Sequence, residues 1–350
     1  RKRQDSPRAR VQALVVLTLF LTFDLVLFGA FTRLSDSGLG CPDWPGCYGT
    51  SNPWHAIGEI QQAEANMPTG PVTVMKAWIE MIHRYLAMTV GALILVQVAI
   101  AFTKLKSLGK NPLLGSFGLL ILVCVQGAFG AWTVTLKLQP IIVTIHLMLA
   151  LVLLACLTAY AQQSWEEKSS TVRTLRIRPL SAQLLSFSFV VLFIQVFLGA
   201  WVSTNYAVLA CPDFPTCLGS AWPETNWVEG FTLWRQLGLN AQGEFISPAA
   251  LQTIHWAHRL FAIAVLIVLG ALGWRALRLA TQALSGLNQV ARLLLGLLLL
   301  QIVTGISNVV FQWPLLAALL HTAGSAALVF CLVRMSYWAS WKPFIQKKMT

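Results

Sequence analysis

Ile82-His83-Arg84-Tyr85-Leu86-Ala87 and Ala257-His258-Arg259-Leu260-Phe261-Ala262 are one pattern written twice, 175 residues apart. The duplication runs further. His146 follows His83 by 63 residues, His321 follows His258 by 63, and Gln126 maps onto Gln301 under the same shift. A single histidine on an apolar helix is ordinarily a satisfied core residue. Four at duplicated positions inside apolar segments ask for a shared chemistry. Two imidazoles per half match the axial ligand set of a heme iron, so the chain is expected to hold two porphyrin sites.

The chain is 56% hydrophobic and 11% charged, with a mean hydropathy of +0.66. Soluble domains carry about 25% charged residues, which excludes that class. A membrane-crossing helix needs roughly 20 apolar residues. Eight stretches qualify, at about 12–31, 76–102, 113–135, 141–161, 183–203, 250–274, 291–312 and 315–336. They leave no room for a separate soluble domain. The Arg-Lys-Arg start followed by a full-length apolar stretch reads as a retained first helix, since a cleaved signal has a shorter apolar core.

The formal net charge is +12. Arg1, Lys2, Arg3, Arg8 and Arg10 precede the first span, and Lys104, Lys106 and Lys110 separate the second and third. Lys168, Arg173, Arg176 and Arg178 lie between spans four and five. Arg275, Arg278, Arg292, Arg334, Lys342, Lys347 and Lys348 continue the same alternation. The intervening loops hold only Arg33, Lys76, Lys137 and Arg235. The positive-inside rule then places both termini in the cytoplasm of a multi-pass protein of the bacterial inner membrane. The basic residues set topology and meet anionic lipid of the bilayer. Nucleic acid is excluded as a partner.

Cys41 and Cys47 bracket C-P-D-W-P-G-C, and Cys211 and Cys217 bracket C-P-D-F-P-T-C. Both loops are expected outside, where disulfides persist, so the pairings Cys41–Cys47 and Cys211–Cys217 are expected; a zinc site is the rival reading. His55 alone among the histidines stands near either pair. Cys124, Cys156 and Cys331 fall within spans and are expected to be small packing residues.

A polar linker over about 162–182 divides the chain. The expected fold is all-α: eight transmembrane helices as two parallel four-helix-bundle repeats, 1–161 and 183–350. Each first span is followed by a long outer loop, 32–75 and 204–249, rich enough in Gly, Pro and Trp to form a compact cap with a short helix. Gln-x-x-x-Gly recurs at Gln126/Gly130, Gln195/Gly199 and Gln301/Gly305, while the first span offers Asp24 and Gly29. Small residues at this spacing favour close helix approach with an interhelical hydrogen bond over direct cofactor contact.

Spans two, four, six and eight run from outside to inside. His83 stands about eight residues into its span and His146 about six into its own, roughly 12 Å and 9 Å deep at 1.5 Å per residue. The imidazoles therefore reach similar depth near the outer face, and His258 and His321 do likewise. Arg84 and Arg259 follow the first histidine of each pair. A guanidinium in a membrane needs an anion or a route to the interface, so heme propionates and helix-end snorkelling both stand as partners. Glu80 lies three residues before His83, whereas its counterpart under the shift is His255. One carboxylate beside one site suggests a reactive site and an electron-transfer site, with an Arg84 ion pair as the structural alternative.

The outer-loop string G-A-F-T-R-L-S-D-S-G-L-G-C-P-D-W-P-G-C (29–47), E-x-x-H-R at Glu80–Arg84, H-R at His258–Arg259 and the lone His146 and His321 together resemble the heme A synthase family. The resemblance covers about 13–334. It implies an oxidoreductase that converts a ring methyl of heme O into the formyl group of heme A through hydroxylated intermediates. It further implies that His83 and His146 ligate the substrate heme iron beside catalytic Glu80, and that His258 and His321 ligate a permanent heme b. Heme O synthase and a membrane electron acceptor are the implied partners, and a disulfide in the outer loops is part of the family pattern. The alternative is a diheme b-type cytochrome passing electrons between quinol and a partner, which needs the same four histidines and has no use for Glu80. A transporter with parallel repeats accounts for the duplication and leaves the paired histidines without a purpose.

Overall fold

A computed structural model describes residues 7–166, 180–279 and 284–340. The protein is all-α, with α1 (Pro7–Leu34), α2 (Ile57–Asn66), α3 (Val74–Thr103), α4 (Leu105–Leu108), α5 (Lys110–Thr135) and α6 (Pro140–Glu166). After these come α7 (Ala182–Thr204), α8 (Trp227–Gly230), α9 (Pro248–Leu279), α10 (Ser285–Val310) and α11 (Leu315–Met335). Eight of them, α1, α3, α5, α6, α7, α9, α10 and α11, are long and apolar enough to cross a membrane. Each coincides with an expected span. Most extend a few residues past the apolar stretch, because backbone hydrogen bonding carries the helix on into the interfacial region.

The seventh span stops short of its expected end at 312. Gln312 and Trp313 adopt left-handed conformations (φ 55° and 66°) and turn the chain into α11. Lys137 and Leu138 do the same between α5 and α6 (φ 50° and 56°). The closing bonds correspond as well: Leu138 N–H donates to Thr133 O and Trp313 N–H to Asn308 O, both at 2.8 Å. These are helix-end bonds that satisfy carbonyls left over by the last turn. At the opposite end, the Thr73 and Ser181 hydroxyls cap α3 and α7, each worth about 1 kcal/mol.

Helices α1 and α3, α3 and α5, and α5 and α6 pack together, and the pairs α7–α9, α9–α10 and α10–α11 repeat that order. The two sets meet along α1, α6, α7 and α11. His146 and His321 thus ride on central helices, and His83 and His258 on peripheral ones. Lipid tails are as apolar as leucine, so close packing and interhelical hydrogen bonds hold such helices together. The most extensive buried apolar cluster among the described residues includes Leu269, Leu272, Leu287, Leu294 and Cys331 of the second set. Cys331 is buried as expected, whereas Cys124 and Cys156 are exposed on the outer faces of α5 and α6. The expected packing role applies to Cys331 alone.

The linker's charged residues Lys168, Arg173, Arg176 and Arg178 lie outside the described residues, as do Arg1, Lys2, Arg3, Lys342, Lys347 and Lys348. At the end of the linker, Leu180–Ser181 forms a two-residue parallel pairing with Ala339–Ser340.

Candidate functional site

The rings of His258 on α9 and His321 on α11 lie 6.4 Å apart, centroid to centroid, at 75°. Two imidazoles bonded to opposite faces of one metal ion need roughly 6 Å, from two bonds of about 2 Å plus the ring radii. The separation therefore fits an iron held between them. Nδ1 of His146, His255 and His258 is buried without a protein partner. The spacing of the second pair fits a porphyrin iron, and the first pair offers the same two residue types on the matching helices.

Each histidine owes its place to a glycine on the neighbouring helix. A Cβ on Gly29 would lie 2.9 Å from His83 Nε2, and one on Gly199 would lie 2.9 Å from His258 Cε1. The corresponding distances are 3.3 Å from Gly130 to His146 and 3.4 Å from Gly305 to His321. Only glycine leaves room for the imidazole at this distance in the first two cases. Four residues before the glycine, a glutamine fastens the partner helix: Gln126 Nε2 donates to His146 O (3.0 Å), Gln195 to His258 O (3.2 Å) and Gln301 to His321 O (3.0 Å). The Gln-x-x-x-Gly pattern is thus packing with an interhelical hydrogen bond, and its consequence is imidazole placement. Asp24, which the first span offers near the equivalent place, is half-buried in α1.

The arginines reach into the outer loops. Arg84 donates to the carbonyls of Asp43, Pro45 and Gly46, and Arg259 to those of Cys211, Asp213 and Thr216. Each guanidinium therefore sits inside a C-P-D-x-P-x-C loop and draws it down onto the helix that bears the histidine. The loops are closed by disulfides, Cys41 to Cys47 and Cys211 to Cys217, which removes those thiolates from any zinc site. Asp43 accepts from the N–H groups of Tyr48 and Gly49, and Asp213 from those of Leu218 and Gly219. Together with the Thr216 hydroxyl, those donors hold the partly exposed Asp213 carboxyl down at about 2. Gly40 is required where the first loop crosses α3, since a Cβ there would meet the Lys76 and Ala77 backbone within 2.6 Å.

Glu80 is 3% exposed. One carboxylate oxygen pairs with Arg84, and the other accepts the Cys41 N–H at 2.8 Å. The ion pair raised as the structural alternative is present. At the matching place in α9, His255 Nε2 accepts from Arg259 Nε at 3.1 Å. A carboxylate–arginine pair in one half is a neutral imidazole–arginine pair in the other.

The halves are also tied across their junction. Arg33 donates to Ser203 O, its guanidinium lies 3.9 Å above the Tyr206 ring, and Tyr206 OH donates to Asp36 at 2.7 Å. Burial, followed by the Asp36 bond, lifts the Tyr206 hydroxyl to about 12 against the opposing pull of Arg33. Sequence reading missed this cluster, although Arg33 and Asp36 fall inside the quoted outer-loop string. It missed Thr304 too, whose oxygen is 2.9 Å from His321 Nδ1.

Residues 12–333 match the family model COX15-CtaA, described as cytochrome oxidase assembly protein. The chain is 39% identical to the heme A synthase of Shewanella oneidensis over 93% of its length and 95% of that protein. It is 26% identical to the heme A synthase of Brucella anthropi over 97% of its length and 94% of that protein. A heme A synthase of Caulobacter vibrioides is 29% identical over 93% and 94% respectively.

Proposed function

The chain belongs to the COX15-CtaA family of cytochrome oxidase assembly proteins, and on that premise we propose how its two histidine pairs divide the work of a heme A synthase. The activity is an oxidoreductase reaction in the membrane, the conversion of heme O to heme A. The first half, residues 1–161, is the substrate half: His83 and His146 hold the heme O iron, and Glu80 is its catalytic carboxylate. The second half, 183–350, holds a permanent heme b on His258 and His321, with 162–182 as the cytoplasmic joint. The two halves are parallel four-helix repeats in the bacterial inner membrane with both termini in the cytoplasm. Heme O synthase, as the source of the substrate, and a membrane electron acceptor are the partners this division requires.

The observation that carries the division is the exchange of Glu80 for His255 within otherwise matching surroundings. Turning a methyl into a formyl group is a four-electron oxidation; written with water as the oxygen donor, it releases four electrons and four protons. A bound heme b supplies one-electron redox chemistry. A carboxylate held by Arg84 and the Cys41 N–H, one turn from His83, is placed to take protons or to stabilise charge developing at the ring carbon. The second half needs no such group, and has none at that position.

The test is extraction and chromatography of pigment from the purified protein before and after it is supplied with heme O. Hydroxylated and formylated heme should appear beside a constant amount of heme b. Heme b alone, with heme O returned unchanged, is the outcome of a diheme cytochrome and would end the synthase reading.

A further inference from the structure

The residue immediately before each histidine-facing glycine occupies one register in four helices: Phe28 before Gly29, Phe129 before Gly130, Leu198 before Gly199 and Thr304 before Gly305. That register touches the histidine where contacts are resolved. Phe28 stacks on His83 at 6.5 Å and 8°. Thr304 Oγ1 lies 2.9 Å from Nδ1 of His321. Among the four it is the one polar side chain.

The direction of the Thr304 bond follows from its other partner. A hydroxyl has one proton, and Thr304 directs it to Leu300 O at 2.7 Å. The oxygen that faces His321 therefore accepts, and Nδ1 carries the ring proton. With Nδ1 protonated, Nε2 keeps its lone pair and becomes the metal-binding nitrogen. Gln301 and Ser325 hold the same turn of α11: Gln301 donates to His321 O at 3.0 Å, and the Ser325 hydroxyl donates to His321 O at 2.9 Å. Ring and backbone are both fixed before any iron arrives. Nδ1 of His146, beside Phe129, and Nδ1 of His258, beside Leu198, are both buried without a protein partner, so among these ligands the hydrogen-bonded outer nitrogen belongs to His321 and the second half.

We propose that Thr304 is the positioning residue that makes the second half retain its heme, and that Phe28 and Phe129 leave the first half's histidines free to exchange theirs. The proposal rests on the division into a heme b half and a substrate half. A synthase must release its product, so its substrate site has to let a porphyrin go. Its electron-transfer site must not. An oriented ligand with a hydrogen-bonded outer nitrogen is the general means of tightening a metal site, and loss of such a partner typically costs about 10–100-fold in affinity. A phenylalanine in the same register supplies bulk and no hydrogen bond.

Thr304→Val keeps the shape and removes the acceptor, whereas Thr304→Ser keeps the oxygen. In the purified full-length protein, heme b should leave the Val variant for an added heme acceptor about 10–100-fold faster than it leaves the parent. The Ser variant should match the parent. Losing the Nδ1 bond also withdraws electron density from the iron, so the Val variant's midpoint potential should rise and serine should restore it. If the Val variant fails to fold, Thr304→Ala removes the same hydroxyl in a smaller side chain and takes its place. Parent-like release and potential in the hydroxyl-free variant would overturn the proposal, as would a serine variant as leaky as valine. A parent protein that carries no heme b at all would instead overturn the division on which the proposal stands.

Discussion

Glu80 and Arg84 form a buried ion pair at i and i+4 on α3, and removing one member of such a pair ordinarily costs about 3–5 kcal/mol because a charge is stranded. Here the stranding is relieved. Arg84 retains three loop carbonyls, and Arg259 shows that the same arrangement stands on a neutral partner, His255. Glu80→Gln should therefore fold, accept the Cys41 N–H through its amide oxygen and keep its heme b. Formyl product should fall by about 10²–10⁴-fold, the usual worth of a general acid–base group. Chromatography of extracted heme checks this, with heme b measured in the same sample. Heme b falling in step with formyl product would make Glu80 a structural residue that anchors the first disulfide loop. Normal product from a well-folded variant would remove it from the chemistry altogether.

At the level of elements, the decisive feature is how closely two helices approach at each histidine. Gly29 and Gly199 leave a would-be Cβ 2.9 Å from an imidazole atom, and the nearest atoms around each belong to that one ring. An added methyl must push the ring aside. Gly199→Ala should displace His258 and lower the heme b content. Gly29→Ala should displace His83, leave heme b in place and reduce conversion of heme O. A shift of about 1 Å at a reacting centre costs on the order of 10²-fold. Heme b content and heme O turnover, measured on both variants, check the pair. Equal loss of heme b from both would show that the halves do not differ in the way proposed. The outer elements follow the same economy of contact: a disulfide, an aspartate capping two N–H groups and an arginine within the loop make each cap a rigid lid on its helix.

For the whole molecule, four helices form the junction and the histidines divide between centre and rim. Arg33, Asp36, Ser203 and Tyr206 lock the junction at the end where the disulfide loops lie, and the Thr144 and Thr204 hydroxyls meet beside it at 3.1 Å. The distribution of basic residues predicts that this end faces away from the cytoplasm. Alkaline phosphatase fused within 32–75 or 204–249 should be active, and the same fusion within 162–182 inactive. The opposite result would invert the protein and place both histidine pairs near the cytoplasmic face.

The eight spans, their alternating charge and the paired histidines were legible in the sequence, because apolar run length and a repeated interval survive without coordinates. The cysteine loops were legible for the same reason: a short motif written twice. The duplication even pointed to Glu80 and His255 as the place where the halves part. What the arginines bind was beyond it. That each guanidinium meets three loop carbonyls depends on where the loop folds back, and only the tertiary path of residues 41–47 and 211–217 decided that. The glycines were visible as a packing pattern, but the atom each one faces lies on another helix. Thr304 was hidden most completely. One threonine among apolar residues carries no periodic signal, and its meaning arises from a hydrogen bond to a ring brought alongside by the packing of α10 on α11. Hydropathy and repetition act along the chain, whereas tautomer, ring placement and loop anchorage depend on distances between helices.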